Sequence, residues 1–75
     1  MKKLEAIIER AKDGTFSVYC ISEMFNGMGE TTGAAKKDML SQMEFFKKTA
    51  IEEGFSYPSF LDEDFEVVYK FDAES

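Results

Sequence analysis

DGTFSVYCISEMFNGMGETTGAA, residues 13–35, reads as a tight turn, a strand, a short strand broken by glycines and the start of a helix. Asp13-Gly14 tolerates the positive φ that hairpin turns require. Thr15 to Ile21 alternates, with Phe16, Val18 and Cys20 on one face and β-branched or aromatic residues throughout. Met24 to Gly29 forms a short third strand, in which Gly27 and Gly29 mark a bulge or a close backbone approach. Glu30-Thr31-Thr32 opens a helix with a threonine hydroxyl as its N-cap. No Glu or Gln follows either threonine by three residues, so this is not a capping box. Gly33, in the first turn, costs some helix stability and is assigned to close packing or to the angle at which the helix leaves the sheet.

The preceding segment, Lys3 to Arg10, has helix-forming residues but strand alternation, with Leu4, Ala6 and Ile8 on one side. The hairpin turn that follows it requires a partner for the Thr15–Ile21 strand, so it is read as a strand. The helix is predicted from about Thr32 to Glu53, closed by Gly54. Ala35, Met39, Met43, Phe46 and Ala50 make a stripe facing the sheet, and Met and Phe in such a stripe are core filler. Lys37, Ser41, Glu44, Lys48 and Glu52 make the solvated face, with Glu44 and Lys48 ordered as an i,i+4 pair. Leu40 and Ile51 fall outside the stripe. Either the Ser56–Leu61 segment folds back over them or they meet another subunit, and the fold-back is favoured. Tyr57 to Leu61 is a connector in which Pro58 excludes helix and central strand. Phe65, Val67, Tyr69 and Phe71 then alternate with Glu66, Val68 and Lys70 as the last strand. A right-handed crossover through the helix pairs it in parallel with the first strand. The expected fold is therefore α+β, in the order β-β-β-α-β. It has a three-stranded antiparallel meander, one long helix on one face and the last strand parallel to the first.

Seventy-five residues hold one domain, 1–75, with a small core. A chain this short often gains stability from a copy of itself or from a partner. Because the chain stops soon after a core strand, it is read as one domain cut from a longer protein. No signal-peptide pattern opens the sequence, since Glu5, Glu9 and Arg10 interrupt what would be its apolar region. No apolar run approaches the ~20 residues that span a bilayer. The expected compartment is the cytoplasm, where the single Cys20 stays reduced.

The net charge is −6. From Glu52 onward, Glu52, Glu53, Asp62, Glu63, Asp64, Glu66, Asp72 and Glu74 are offset only by Lys70. Nucleic-acid affinity rests on Lys and Arg contacts to phosphates, so direct nucleic-acid binding by this segment is not expected. An acidic surface suits a basic protein partner through steering and complementary potential.

Candidate chemistry is sparse. The sequence contains no histidine, which removes Ser-His and Cys-His nucleophile pairs, histidine acid–base catalysis and the ordinary zinc sites. Cys20 alternates with Phe16 and Val18 and reads as a small buried hydrophobe rather than a reactive thiol. Asp62, Glu63, Asp64 and Glu66 lack the spacing and the glycine of a calcium loop and read as a solvated acidic turn. Gly27, Gly29 and Gly33 give G-x-G-x-x-x-G, one residue off the dinucleotide fingerprint and without its strand–helix–strand context. Catalytic, cofactor and metal residues are therefore assigned as none, and the partner-binding residues as unknown.

Two joints carry a resemblance. Asp13-Gly14-Thr15-Phe16-Ser17-Val18-Tyr19 is a turn before an aromatic-rich second strand. Gly27-Met28-Gly29-Glu30-Thr31 steps into a helix with Ala35 near its first turn. In this order the chain resembles the HicB-like antitoxin domain, a partial RNase H fold, over nearly its whole length. Gly33 and Ala34 depart from the acidic residues usual before that alanine. Ile21-Ser22-Glu23 replaces the proline-containing loop frequent after the second strand. The resemblance implies a non-catalytic domain that binds and neutralises a small basic HicA-like ribonuclease toxin and self-associates as a dimer or tetramer. In the full-length family a C-terminal module binds DNA, and after Phe71 only residues 72–75 remain, so the resemblance implies either the partner-binding domain of a longer regulator or a stand-alone relative. An alternative is a stand-alone oligomerisation domain of a regulator without a toxin. A third is a metal-dependent RNase H-like hydrolase that would have to gather Glu5 or Glu9, Asp38 and Glu66.

Overall fold

In a computed structural model, which describes residues 2–71, the chain folds as β1 (Lys2–Arg10), β2 (Phe16–Cys20), β3 (Asn26–Gly29), α1 (Thr32–Glu53), a short 3-10 turn (Ser59–Asp62) and β4 (Phe65–Phe71). The four strands form one mixed sheet in the order β3-β2-β1-β4. β1 and β2 are antiparallel, as are β2 and β3, while β4 lies parallel to β1 from Lys2↔Phe65 to Ile8↔Phe71. The expected β-β-β-α-β topology is the observed one. Asp72 and Glu74, counted above in the acidic C-terminal third, lie outside the described residues.

Local chemistry sets each joint. At the β1–β2 turn, Asp13 Oδ1 accepts from the Thr15 amide at 3.0 Å and from the Thr15 hydroxyl at 2.7 Å, while Gly14 takes a φ of 93°. These hydrogen bonds favour the ionised carboxylate and lower the pKa of Asp13. The Thr31 hydroxyl caps α1 by accepting from the Ala34 amide at 3.0 Å. Gly54 ends the helix in the left-handed region with its N–H on the Ala50 carbonyl.

The core lies between one sheet face and α1. Leu4, Ala6 and Ile8 of β1 and Val18 and Cys20 of β2 meet Ala35, Met39 and Met43 of the helix, with Phe60 closing one end. The β3 glycines are not bulges: Val18↔Gly27 and Phe16↔Gly29 keep the ladder in regular register. They are close approaches. A Cβ on Gly27 would lie 2.5 Å from the Ala35 carbonyl oxygen, and one on Gly29 would lie 2.7 Å from Ala34 Cβ. Gly33 is different, because a Cβ there would meet only Thr31 Oγ1, at 4.0 Å. Close packing is therefore the role of the two strand glycines and not of the helical one.

Other details depart from the sequence-based expectations. Phe46 is only partly covered, because the helix sits over β3 and β2 and carries Phe46 to the rim of the core. Leu40 and Ile51 remain exposed, so the 56–61 segment does not fold back over them. It crosses beside Lys47 instead. There the ammonium reaches the Leu61 carbonyl at 3.1 Å and the Asp62 carboxylate at 2.9 Å, and Tyr57 donates to both Asp62 oxygens at 3.0 Å. The hydrogen bond from Lys47, then that from Tyr57, holds the Asp62 carboxyl below its usual range. Asp62 is thus a tether in what reads from the sequence as a freely solvated acidic turn. Glu44 and Lys48 are exposed and form no ion pair within 4 Å among the described residues. No helix among the described residues is long and apolar enough to cross a membrane.

Candidate functional site

An apolar groove lies beside the C-terminal half of α1. One wall is the β2–β3 loop, which the Cys20 amide closes by donating to the Phe25 carbonyl at 3.1 Å. That short loop lifts Met24 away from the body, leaving it 97% exposed. The other wall is the helix itself, through Gln42, Phe45, Phe46 and Thr49, and Pro58 of the connector closes the end. The groove encloses about 440 Å³. Phe45 and Phe46 are adjacent on the helix, so they point about 100° apart. Phe46 leans inward and meets Phe25 edge-to-face at 5.5 Å, whereas Phe45 stands out 67% exposed.

This surface was not singled out from the sequence. In the sequence Phe46 falls on the core stripe and Met24 at the start of the third strand, and no periodic pattern marks Phe45. The available signal was the Phe45-Phe46 pair itself. A helix that buries one stripe cannot hide two consecutive aromatics, so one of them must face outward. Methionine and aromatic side chains exposed together in a concavity bind apolar anchors of a partner, because methionine adapts its shape and aromatics offer large contact areas. Glu23 at the rim adds a carboxylate that suits a cation beside such an anchor.

The carboxylates that a hydrolase would require are distributed otherwise. Glu5 and Glu66 stand on the sheet face turned away from α1, where Glu5 meets Lys70 at 3.5 Å. Glu9, on the same face, accepts from the Tyr19 hydroxyl at 3.2 Å. Asp38 projects from the helix and accepts the Met28 amide of β3 at 3.0 Å. The sheet separates Asp38 from the other three. Among the described residues, no group of three or more His, Cys, Asp or Glu side chains is placed to hold a metal ion.

Cys20 is buried, and its thiol donates to the Met39 sulfur at 3.8 Å. Burial, with a smaller contribution from Glu23, pushes its pKa up, which disfavours the thiolate. An aromatic disulfide reagent is therefore expected to label Cys20 only as fast as the domain opens. Labelling should become immediate above the urea unfolding midpoint. Rapid stoichiometric labelling in native buffer would contradict this burial.

Comparisons with protein-family models, with curated proteins and with solved structures each yield no match to this chain.

Proposed function

We propose that this chain is a non-catalytic, HicB-like binding domain of the cytoplasm that occludes and neutralises a small basic ribonuclease. The observation that carries the binding role is the apolar groove, with Met24 and Phe45 standing exposed on a protein of net charge −6. An apolar anchor with basic neighbours fits such a surface, the charge steering the encounter and the groove supplying the contact area. The ribonuclease identity of the partner rests on the motif resemblance at Asp13–Tyr19 and Gly27–Thr31. Self-association belongs to the same reading.

The test is to purify the small basic protein encoded beside this chain and measure its RNA cleavage while titrating the chain in. Cleavage is expected to fall to zero at a fixed stoichiometry. Phe45→Ala should weaken inhibition by about 30-fold or more, the loss typical of an aromatic hot spot of about 2 kcal/mol. Its circular dichroism should be unchanged, because Phe45 lies outside the core. Absence of a basic neighbour, or a complex that leaves cleavage intact, overturns the toxin reading. Full inhibition by Phe45→Ala overturns the groove as the contact.

A further inference from the structure

The two edges of the sheet are finished differently. At the β3 edge the strand has only four residues, and α1 covers it by bringing the Asp38 carboxylate onto the Met28 amide. At the other edge β4 runs for seven residues, pairs with β1 on one side only, and contains no proline. Among the described residues no backbone hydrogen bond reaches its outer side. Such a strand is a template for further pairing unless something blunts it.

We propose that β4 pairs antiparallel with the β4 of a second copy about a two-fold axis at Val68, joining the two sheets into one. The sequence of the strand, FEVVYKF, is self-complementary about that residue. Centring the pair on Val68 sets Glu66 opposite Lys70 of the second copy and Lys70 opposite its Glu66. It also sets Phe65 opposite Phe71, Val67 opposite Tyr69 and Val68 opposite itself. This register alone overlaps all seven residues. Shifting one chain by a single residue puts residues that face the helix opposite residues that face away from it. A two-residue shift leaves both strand ends unpaired and breaks the Glu66–Lys70 matches.

The exposed side chains agree with this arrangement. Phe71 is 65% exposed at the end of the helix-facing row, and Val68 is 38% exposed on the opposite face. Pairing covers both, Phe71 against a Phe65 ring and Val68 against its own symmetry mate. Lys70 already meets Glu5 of its own chain, so the seam would carry a Glu5–Lys70–Glu66 row in which the last residue belongs to the second copy. An isologous contact of this kind closes as a dimer and consumes the exposed edge.

This inference shares only self-association with the proposed function and needs no basic partner. Its test uses the chain alone, so the two can fail separately. Sedimentation velocity across a micromolar concentration series is expected to show a monomer–dimer equilibrium. Glu66→Lys and Lys70→Glu should each weaken the dimer by at least about tenfold, since each places like charges opposite one another twice. Both positions are exposed, and circular dichroism checks that each variant stays folded. An equimolar mixture of the two variants should recover wild-type association, because both of its seam pairs become Lys opposite Glu. A strict monomer, a dimer indifferent to either reversal, or a mixture no better than its components overturns the proposal.

Discussion

Gly27→Ala is expected to lower the unfolding free energy by about 3 kcal/mol or more, at the upper end of what overpacking costs. The reason lies in what the new methyl would meet. It would sit 2.5 Å from the Ala35 carbonyl oxygen and 2.9 Å from Met39 Cα, both in the backbone of α1. A flexible side chain could rotate away; a helix backbone must move as a body. Ala35 and Met39 are themselves fully buried in the core where α1 sits over β3 and β2, so lifting the helix opens that core. A domain of this size holds only roughly 4–11 kcal/mol in total, at 0.05–0.15 kcal/mol per residue, so much of its stability is lost. Urea unfolding followed by circular dichroism measures the change. Gly33→Ala is the control of opposite sign. Its methyl enters open space, and the helix gains up to about 0.5 kcal/mol by losing a glycine from its first turn, less than at a mid-helix position. If both substitutions proved equally mild, the helix would not be seated on β3 as described.

Phe60→Ala is expected to cost about 3–4 kcal/mol, the range for removing a buried aromatic ring. Phe60 is 2% exposed and meets Phe25 at 6.2 Å and Phe65 at 5.2 Å, both edge-to-face. Phe25 in turn meets Phe46, so one line of aromatics runs from the start of β4 through the connector to the floor of the groove. Truncating Phe60 leaves a cavity at the centre of that line. The denaturation midpoint should fall, and the groove should lose the support behind Phe25. Phe45→Ala provides the contrast. That ring stands outside the core, so its loss should change stability by no more than about 0.5 kcal/mol while removing a binding contact. A Phe60→Ala variant as stable as Phe45→Ala would mean that the connector is not part of the core.

The groove was hard to read for a specific physical reason. In a window along the helix, Phe46 falls with Met39, Met43 and Ala50 on the apolar stripe and so reads as buried. Its exposure depends on how far the helix is displaced across the sheet, which is set by Gly27 and Gly29 of β3. Phe45 lies one position off the stripe, and Met24 sits in a loop whose direction follows from the Cys20–Phe25 hydrogen bond. The acidic turn misled in the same way. Nothing near Asp62 in sequence announces Lys47, fifteen positions earlier, as its ion-pair partner. By contrast, Cys20 reads correctly as a buried hydrophobe, because strand alternation with Phe16 and Val18 is a local signal.

Element type and order follow from chemistry that acts over a few residues. Asp13-Gly14 makes the turn, period-two alternation makes β1, β2 and β4, and Thr31 and Gly54 bound the helix. The helical crossover after β3 then brings β4 back parallel to β1. The placement of the helix is a different kind of fact. Two missing side chains on β3 draw α1 over one half of the sheet. That shift leaves Phe45 and Phe46 to line a groove, brings Asp38 onto the β3 edge and leaves the β4 edge uncovered. These features arise where residues far apart in the chain meet, and burial is a property of that meeting rather than of either residue alone.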